Sequence, residues 1–107
     1  MTNQEFLTNM KVLNDETRLN IIQMLSKNGT MCACKILEEL HITQGTLSHH
    51  MKVLTTAGLV TFTRDGKYCN YTLVKEPVCE LTQFLKGICA NVNLSENSSC
   101  HISKKCS

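Results

Sequence analysis

The sequence predicts a mainly α-helical (α+β) domain of about five helices with one β-hairpin, and three observations predict that fold class. Apolar residues recur at intervals of three and four in five separate segments. Capping residues stand before several of these segments and glycines stand after them. The exception is a stretch of β-branched and aromatic residues around Asp65-Gly66, a strong signal for a two-residue hairpin turn.

Length and composition indicate one globular domain. The chain has 107 residues, of which 42% are hydrophobic and 19% charged. No apolar run approaches the roughly 18 residues that span a bilayer, and the N-terminus does not resemble a signal peptide, so we expect a cytoplasmic protein that does not enter a membrane. We assign residues 1–92 to the domain and the polar residues 93–107 to a flexible tail that contains cysteines.

Two amphipathic helices are predicted before residue 30. The first has one apolar stripe, formed by Phe6, Met10 and Leu13. The second is capped by Asn14 or Asp15 and stops at Gly29. Its apolar face comprises Leu19, Ile22 and Leu25.

The next two helices are predicted to form a helix-turn-helix. Thr30 is the expected cap of the third helix, which ends near His41. Thr43 is the expected cap of the fourth, which runs to Ala57. The buried stripe of the fourth is Leu47, Met51 and Leu54. About three residues join the two helices, which is the spacing of that motif.

A hairpin and a last helix follow. If Arg64 pairs with Lys67 across the turn, Phe62 opposes Cys69, and Cys69 is expected in the core. Glu76-Pro77 is expected to start the last helix, because proline suits the first helical position. Its apolar positions are Val78, Leu81, Leu85, Ile88 and Val92. One small domain cannot cover both terminal helices, so we expect a homodimer formed through them.

A capped helix after a tight turn, followed by a hairpin with a basic tip, is the layout of a winged helix-turn-helix, whose second helix enters the major groove of DNA. The polar side chains near the start of the fourth helix are candidates for base contacts, since Gln, Ser and Thr can bond to base edges. These are Gln44, Thr46, Ser48 and His49. Lys52 is expected to meet phosphate, and Arg64 and Lys67 to approach the backbone or minor groove. The alternative is a merely solvated polar face.

Cys32 and Cys34 lie at the predicted first turn of the third helix, where the helix dipole favours the thiolate that binds soft ions. Residues two apart point to nearly opposite sides of a helix, with Cβ atoms about 7 Å apart. Two sulfurs on one ion lie within about 3.7 Å of each other. We therefore expect ion binding to unwind or bend this turn and so to shift the neighbouring recognition helix.

Paired thiolates without a nearby histidine suit trivalent arsenic or antimony, and then cadmium or lead. Arsenic and antimony prefer three sulfurs, and Cys100 or Cys106 of the tail could supply the third. Two alternatives stay open for Cys32 and Cys34: small core residues, or a sensor of oxidants or persulfides. An enzyme is disfavoured, because no acid–base constellation or cofactor loop accompanies the thiols.

Four blocks of the sequence resemble the ArsR/SmtB family of metal-responsive repressors, and the cysteine block most resembles that of its arsenic sensors. They are LNDETRLNIIQMLS, MCACKILEEL, ITQGTLSHHMKVLTTAGLV and RDGKYCNYTL. The resemblance implies a homodimer that represses transcription from operator DNA until an inducer binds, with no required cofactor. It implies recognition by Gln44, Ser48 and His49 and sensing by Cys32 and Cys34.

This chain departs from the family pattern at two places. The fullest arsenic block has a third cysteine where this chain has Leu37, so a third sulfur must come from elsewhere. Gly45 in the first turn of the recognition helix is a flexible choice, where another residue would favour the helix.

Overall fold

The computed structural model describes residues 1–92, which form five helices and a small antiparallel sheet. In chain order they are α1 (Asn3–Leu13), α2 (Glu16–Asn28), β1 (Met31–Cys32), α3 (Ala33–Leu40), α4 (Gln44–Thr56), β2 (Val60–Asp65), β3 (Tyr68–Leu73) and α5 (Lys75–Asn91). The predicted mainly helical class is confirmed. Within residues 1–92 no helix is long and apolar enough to cross a membrane. The predicted tail lies outside the described residues.

The helices begin where side chains satisfy free backbone N–H groups. The Asp15 carboxylate accepts the Arg18 N–H at the start of α2, and the Thr43 hydroxyl accepts the Thr46 N–H at the start of α4, as predicted. At the C-terminal end of α3, His41 adopts a left-handed conformation with φ 55°. This residue turns the chain sharply enough to bring α4 back beside α3.

The predicted start of the third helix is wrong. Thr30 does not cap it; instead Met31 and Cys32 form β1, and Cys32 is the residue before the helix. Because Cys32 pairs with Asn70 of β3, the sheet has three strands in the order β1-β3-β2 rather than the predicted two. A two-residue strand shows no alternation of apolar and polar residues, so the sequence pattern could not reveal it.

The hairpin is confirmed, but its predicted register is wrong by two residues. Phe62 opposes Tyr71 rather than Cys69, and the turn residues are Gly66 and Lys67. Gly66 has φ 63° at the first central position, which type II′ turns reserve for glycine. A turn centred on Asp65-Gly66 would favour positive φ at Asp65, which glycine tolerates far better. A shift of two leaves every side chain on its predicted face.

The core lies between α2, α3, α4 and the base of the hairpin. Its buried members are Ile21, Leu25, Ile36, Leu47, Met51, Leu54, Leu59 and Val60. The three predicted core residues of α4 are therefore confirmed. Cys69, predicted as core, is only half-buried, and Phe62 on the same face is 46% exposed. This end of the hairpin extends beyond the helices that cover its base.

The terminal helices contact each other through the stacked rings of Phe6 and Phe84, whose centroids are 4.2 Å apart. α5 begins at Lys75, so Pro77 is the third helical residue rather than the first. Proline still fits there, because the first-turn N–H groups have no partner within the helix. Large apolar side chains stay exposed on α1, on α2, on α5 and just after α5: Leu7, Met10, Leu19, Leu85, Ile88 and Val92.

Candidate nucleic-acid interface and thiol site

The outer surface of α4 carries the residues predicted to contact bases. Its candidates are all exposed: Gln44, Thr46, Ser48, His49 and Lys52. Gln44, Ser48 and Lys52 follow one another at intervals of four and so form one stripe. The Thr46 hydroxyl accepts a hydrogen bond from Thr43 at 2.9 Å, which ties it to the helix cap. The N-terminal half of α4 therefore presents a short polar surface held by an ordered cap.

A groove of about 250 Å³ separates α4 from the hairpin. It is lined by Ser48, Met51, Lys52, Thr55, Phe62 and Tyr71. The aromatic rings of its floor, Phe62 and Tyr71, have centroids 5.7 Å apart. Burial raises the pKa of Tyr71, and the nearby Cys69 adds to that rise. The Tyr71 hydroxyl thus stays protonated at neutral pH. The sequence patterns did not reveal this groove, because it depends on how the hairpin meets α4.

The hairpin presents two exposed cations near its tip, Arg64 at the end of β2 and Lys67 in the turn. Asp65 lies between them in the sequence and is also exposed. The tip therefore carries two cations and one anion. This arrangement suits contact with a phosphate backbone more than readout of base edges.

The Sγ atoms of Cys32 and Cys34 are joined as a disulfide. Cys32 has the extended backbone of a residue before a helix, with φ −77° and ψ 148°, and its Sγ also accepts the Cys34 N–H at 3.3 Å. The expectation that these sulfurs can meet only if the helix unwinds is therefore wrong. It assumed that both residues were helical, whereas Cys32 lies outside the helix and its side chain turns back toward Cys34.

The described part of the chain shows no cluster that adds a third candidate ligand to Cys32 and Cys34. Over residues 1–92 there is no group of three or more His, Cys, Asp or Glu that could hold a metal ion. Leu37 packs against the core. Cys69 and Cys79 are free thiols, the first half-buried and the second exposed on α5. Cys100 and Cys106, the candidates for a third sulfur, lie outside the described residues.

A polar cluster behind α4 was not predicted from the sequence. The Arg18 guanidinium lies 3.2 Å from Nδ1 of His50, and the Asp15 carboxylate lies 3.9 Å from the same nitrogen. The hydrogen bond from the Arg18 N–H lowers the pKa of Asp15, and the charge of Arg18 acts in the same direction. No spacing signal connects these residues, because 32 positions separate Arg18 from His50.

Residues 15–61 match the family model for bacterial regulatory proteins of the arsR family. The chain is 45% identical over 73 residues to an arsenical resistance operon repressor of Staphylococcus aureus, covering 68% of this chain and 69% of that protein. It is 33% identical over 73 residues to a CadC homolog of S. aureus, a cadmium resistance transcriptional regulatory protein, of which it covers 60%.

Solved structures agree with the sequence comparisons. An ArsR-like transcriptional regulator from a Rhodococcus species superposes with a TM-score of 0.71 at 23% identity, covering 81% of each chain. At that identity the likeness concerns the fold, which is the helix-turn-helix and hairpin described above. Membership of a family is shown by the matched family model and by the identity to the staphylococcal repressor. This chain belongs to the ArsR family of bacterial transcriptional regulators.

Proposed function

We propose that this regulator represses transcription from an operator and releases it when a thiophilic ion binds Cys32 and Cys34. The adjacency of the two sulfurs carries the proposal, because a soft ion needs two sulfurs within about 3.7 Å of each other. Because the Cα atoms of the two cysteines lie 5.4 Å apart, rotation of the side chains in the reduced protein would bring the sulfurs to that separation. The family consists of transcriptional regulators and not of enzymes. Since its partner is operator DNA, we place the protein in the cytoplasm.

We propose trivalent arsenic or antimony as the inducer. The arsenical resistance repressor similar to this chain supports that choice, as does the preference of soft ions for thiolates. Cadmium or lead is the alternative, and the similarity to a cadmium resistance regulator supports it. Leu37 stands where the fullest arsenic block has its third cysteine, and it packs against the core. A third sulfur would therefore come from Cys100 or Cys106. The two tail cysteines thus decide whether the site holds two sulfurs or three.

The proposed DNA contacts follow the exposed surface of α4 and the hairpin. Gln44, Ser48 and His49 would read base edges in the major groove, with Thr46 beside them at the capped start of the helix. Lys52 would bind a phosphate at the rim of the groove beside the hairpin. Arg64 and Lys67 would contact the backbone or minor groove from the hairpin tip. These assignments predict binding that weakens steeply as salt rises.

The structure offers two routes from the thiols to the DNA-binding elements. Cys34 belongs to α3, the first helix of the helix-turn-helix. Cys32 belongs to β1, whose backbone pairs with β3 of the hairpin. An ion that changes the position of both sulfurs would therefore act on α4 through α3 and on the hairpin through β1. If the ion favours the low-affinity form by about 3 kcal/mol, operator affinity falls roughly 150-fold.

We also propose that the protein acts as a homodimer. The exposed apolar side chains of α1, α2 and α5 support this, because a monomer would leave them in water. A two-fold axis would place two copies of α4 on the same side of the dimer. Two half-sites one helical turn apart, about 34 Å, would then be read together.

A second candidate function is repression relieved by thiol oxidation. The specific observation in its favour is that the Cys32 and Cys34 sulfurs lie within bonding contact. Two thiols reacting with a peroxide form one disulfide, and the peroxide takes up the two electrons and two protons, which gives two waters from hydrogen peroxide or one alcohol and one water from an alkyl hydroperoxide. A persulfide donor is the other oxidant class that such a pair would detect.

Operator binding followed by fluorescence anisotropy tests both candidates. The reduced protein is titrated onto operator DNA with arsenite, antimonite, cadmium, lead or peroxide, and the same series is repeated for Cys32→Ser and Cys34→Ser. We expect arsenite or antimonite to release wild-type protein and neither variant. Cys79→Ser, at an exposed free thiol of α5, is the matched control and should respond like wild type. Release by arsenite in both sensor variants would contradict the assignment, and release by peroxide alone would favour the redox function.

A further inference from the structure

Arg18 connects three helices through one side chain. Its Nε donates to the carbonyl oxygen of Val12 at 2.6 Å, and its Nη1 lies 3.2 Å from Nδ1 of His50. Val12 is in the last turn of α1, where carbonyl groups lack partners within the helix and a cation is favoured. Arg18 is in the first turn of α2, and His50 is in α4. The fork of the guanidinium therefore fixes α1, α2 and α4 relative to one another.

His50 occupies the inner side of α4, next to His49 on the outer side. Its side chain is only 12% exposed, whereas His49 is exposed. Arginine has donors and no acceptor, so Nδ1 of His50 can join this contact only as a hydrogen-bond acceptor. Asp15 lies 3.9 Å from the same nitrogen and also accepts the Arg18 backbone N–H, so its carboxylate lies beside this contact.

We infer that Arg18 and His50 are positioning residues for operator recognition. The rest of the contact between α4 and the core is apolar, through Leu47, Met51 and Leu54. Apolar packing has no preferred direction and tolerates small rotations of a helix, whereas a planar guanidinium fixes the direction of its acceptors. The contact of Arg18 with His50 therefore sets the rotation of α4 about its own axis.

The consequence reaches beyond one subunit. α1 carries part of the apolar surface proposed to form the dimer, and Arg18 ties α4 to the end of α1. The separation of the two reading helices in a dimer would then depend on this contact. Specific binding requires both helices to meet their half-sites, but nonspecific binding requires only charge. This inference rests on the proposed entry of α4 into the major groove.

Two substitutions at one position test the inference. His50→Leu removes the acceptor, and His50→Asn replaces it, because the Asn carbonyl oxygen lies near the place of Nδ1. Affinity for operator DNA and for a random duplex is measured for both, along with thermal unfolding by circular dichroism. For His50→Leu we expect operator affinity to fall roughly tenfold, the equivalent of one charge-assisted hydrogen bond. Its affinity for the random duplex should stay unchanged, and His50→Asn should recover most of the operator affinity.

Wild-type operator affinity in His50→Leu would overturn the inference, and so would equal losses in the Leu and Asn variants. Should His50→Leu fail to fold, Arg18→Lys gives the same test, since it keeps the charge but cannot hold Val12 and His50 together. Gln44→Ala separates this inference from the proposed function on which it rests. If Gln44→Ala weakens operator binding while His50→Leu does not, α4 enters the groove but the positioning role is wrong. If neither variant weakens binding, the proposed entry of α4 into the major groove is wrong, and the inference that rests on it is wrong as well.

Discussion

Asp15 shows at the scale of one residue how a helix cap contributes to stability. Its carboxylate accepts the Arg18 N–H at 3.0 Å, and this bond lowers its pKa below the ordinary 3.8. A lowered pKa means that the unfolded chain takes up a proton more readily than the folded one. The stabilisation is therefore present in full above the unfolded pKa and is lost as pH falls through the folded value.

Asp15→Asn tests this, because asparagine can still cap the helix but carries no charge. We expect the variant to be less stable than wild type at pH 7 and the difference to disappear at an acid pH below the lowered pKa of Asp15. Urea unfolding at the two pH values measures it. Glu16→Gln removes a neighbouring exposed carboxylate and is the control, which should show no comparable change. A stability difference that persists unchanged in acid would contradict the role of the charge.

The elements show how the thiol pair is connected to the hairpin. Besides the backbone pairing of β1 with β3, the hydroxyls of Thr30 and Thr72 lie 2.8 Å apart across the same boundary. Because Thr30 directly precedes β1, this bond helps to hold the segment that carries Cys32 against the hairpin. The strength of that attachment should affect how far a change at the sulfurs reaches the hairpin.

Thr30→Val with Thr72→Val removes this bond and keeps the shape of both side chains. We expect the operator affinity of the reduced, ion-free protein to stay near wild type. We expect the loss of affinity caused by arsenite to shrink, by about 0.5–1.5 kcal/mol of coupling energy if the bond lies on the route. Anisotropy titrations with and without arsenite measure this coupling. Thr63→Val, an exposed change on β2, is the control. Unchanged coupling in the double variant would leave α3 as the route.

Gly45 is the clearest weak point within an element. It lies in the first turn of α4, its φ is not positive, and a Cβ added there meets nothing within 4 Å. Gly45→Ala should therefore raise the free energy of unfolding by roughly 0.5–1 kcal/mol. Thermal or urea unfolding measures it. Gly58→Ala is a matched contrast, because Gly58 has equal space but φ 82°, and it should destabilise. A lower urea midpoint for Gly45→Ala would contradict this account.

At the scale of the whole molecule, the apolar surface of the terminal helices sets the expected assembly. Within residues 1–92, α1 contributes no buried residue to the core, and its apolar Leu7 is 57% exposed. On α5, Leu81 is buried whereas Leu85 and Ile88 are more than half exposed. Two helices with this much exposed apolar surface fit a subunit that is completed by its copy.

Ile88→Glu places a charge in the middle of the proposed dimer surface. We expect the sedimentation mass to fall by half and operator affinity to fall with it, because one reading helix then binds without its partner. Gln83→Glu adds the same charge elsewhere on α5 and should leave the dimer intact. Sedimentation at micromolar concentration decides the question. A wild-type protein that sediments as a monomer would refute the proposal without the variants.

Much of this architecture followed from local patterns. The apolar stripe of α4, its Thr43 cap and the hairpin were predictable because helix period, capping and turn chemistry act within a few residues. The exposed candidates on α4 were predictable for the same reason, since they occupy the face opposite the stripe. Whether they contact DNA remains a proposal.

The sequence by itself determined the order of the five helices and the hairpin, the family resemblance, and the presence of a thiol pair at the start of the helix-turn-helix. Tertiary structure alone decided that Cys32 pairs with the hairpin strand, that the two sulfurs meet without unwinding a helix, and that Arg18 reaches His50. The physical reason is the distance along the chain between the residues that interact. Periodicity and capping arise between neighbours in the chain, whereas a two-residue strand and a contact across 32 positions form only when distant segments pack together.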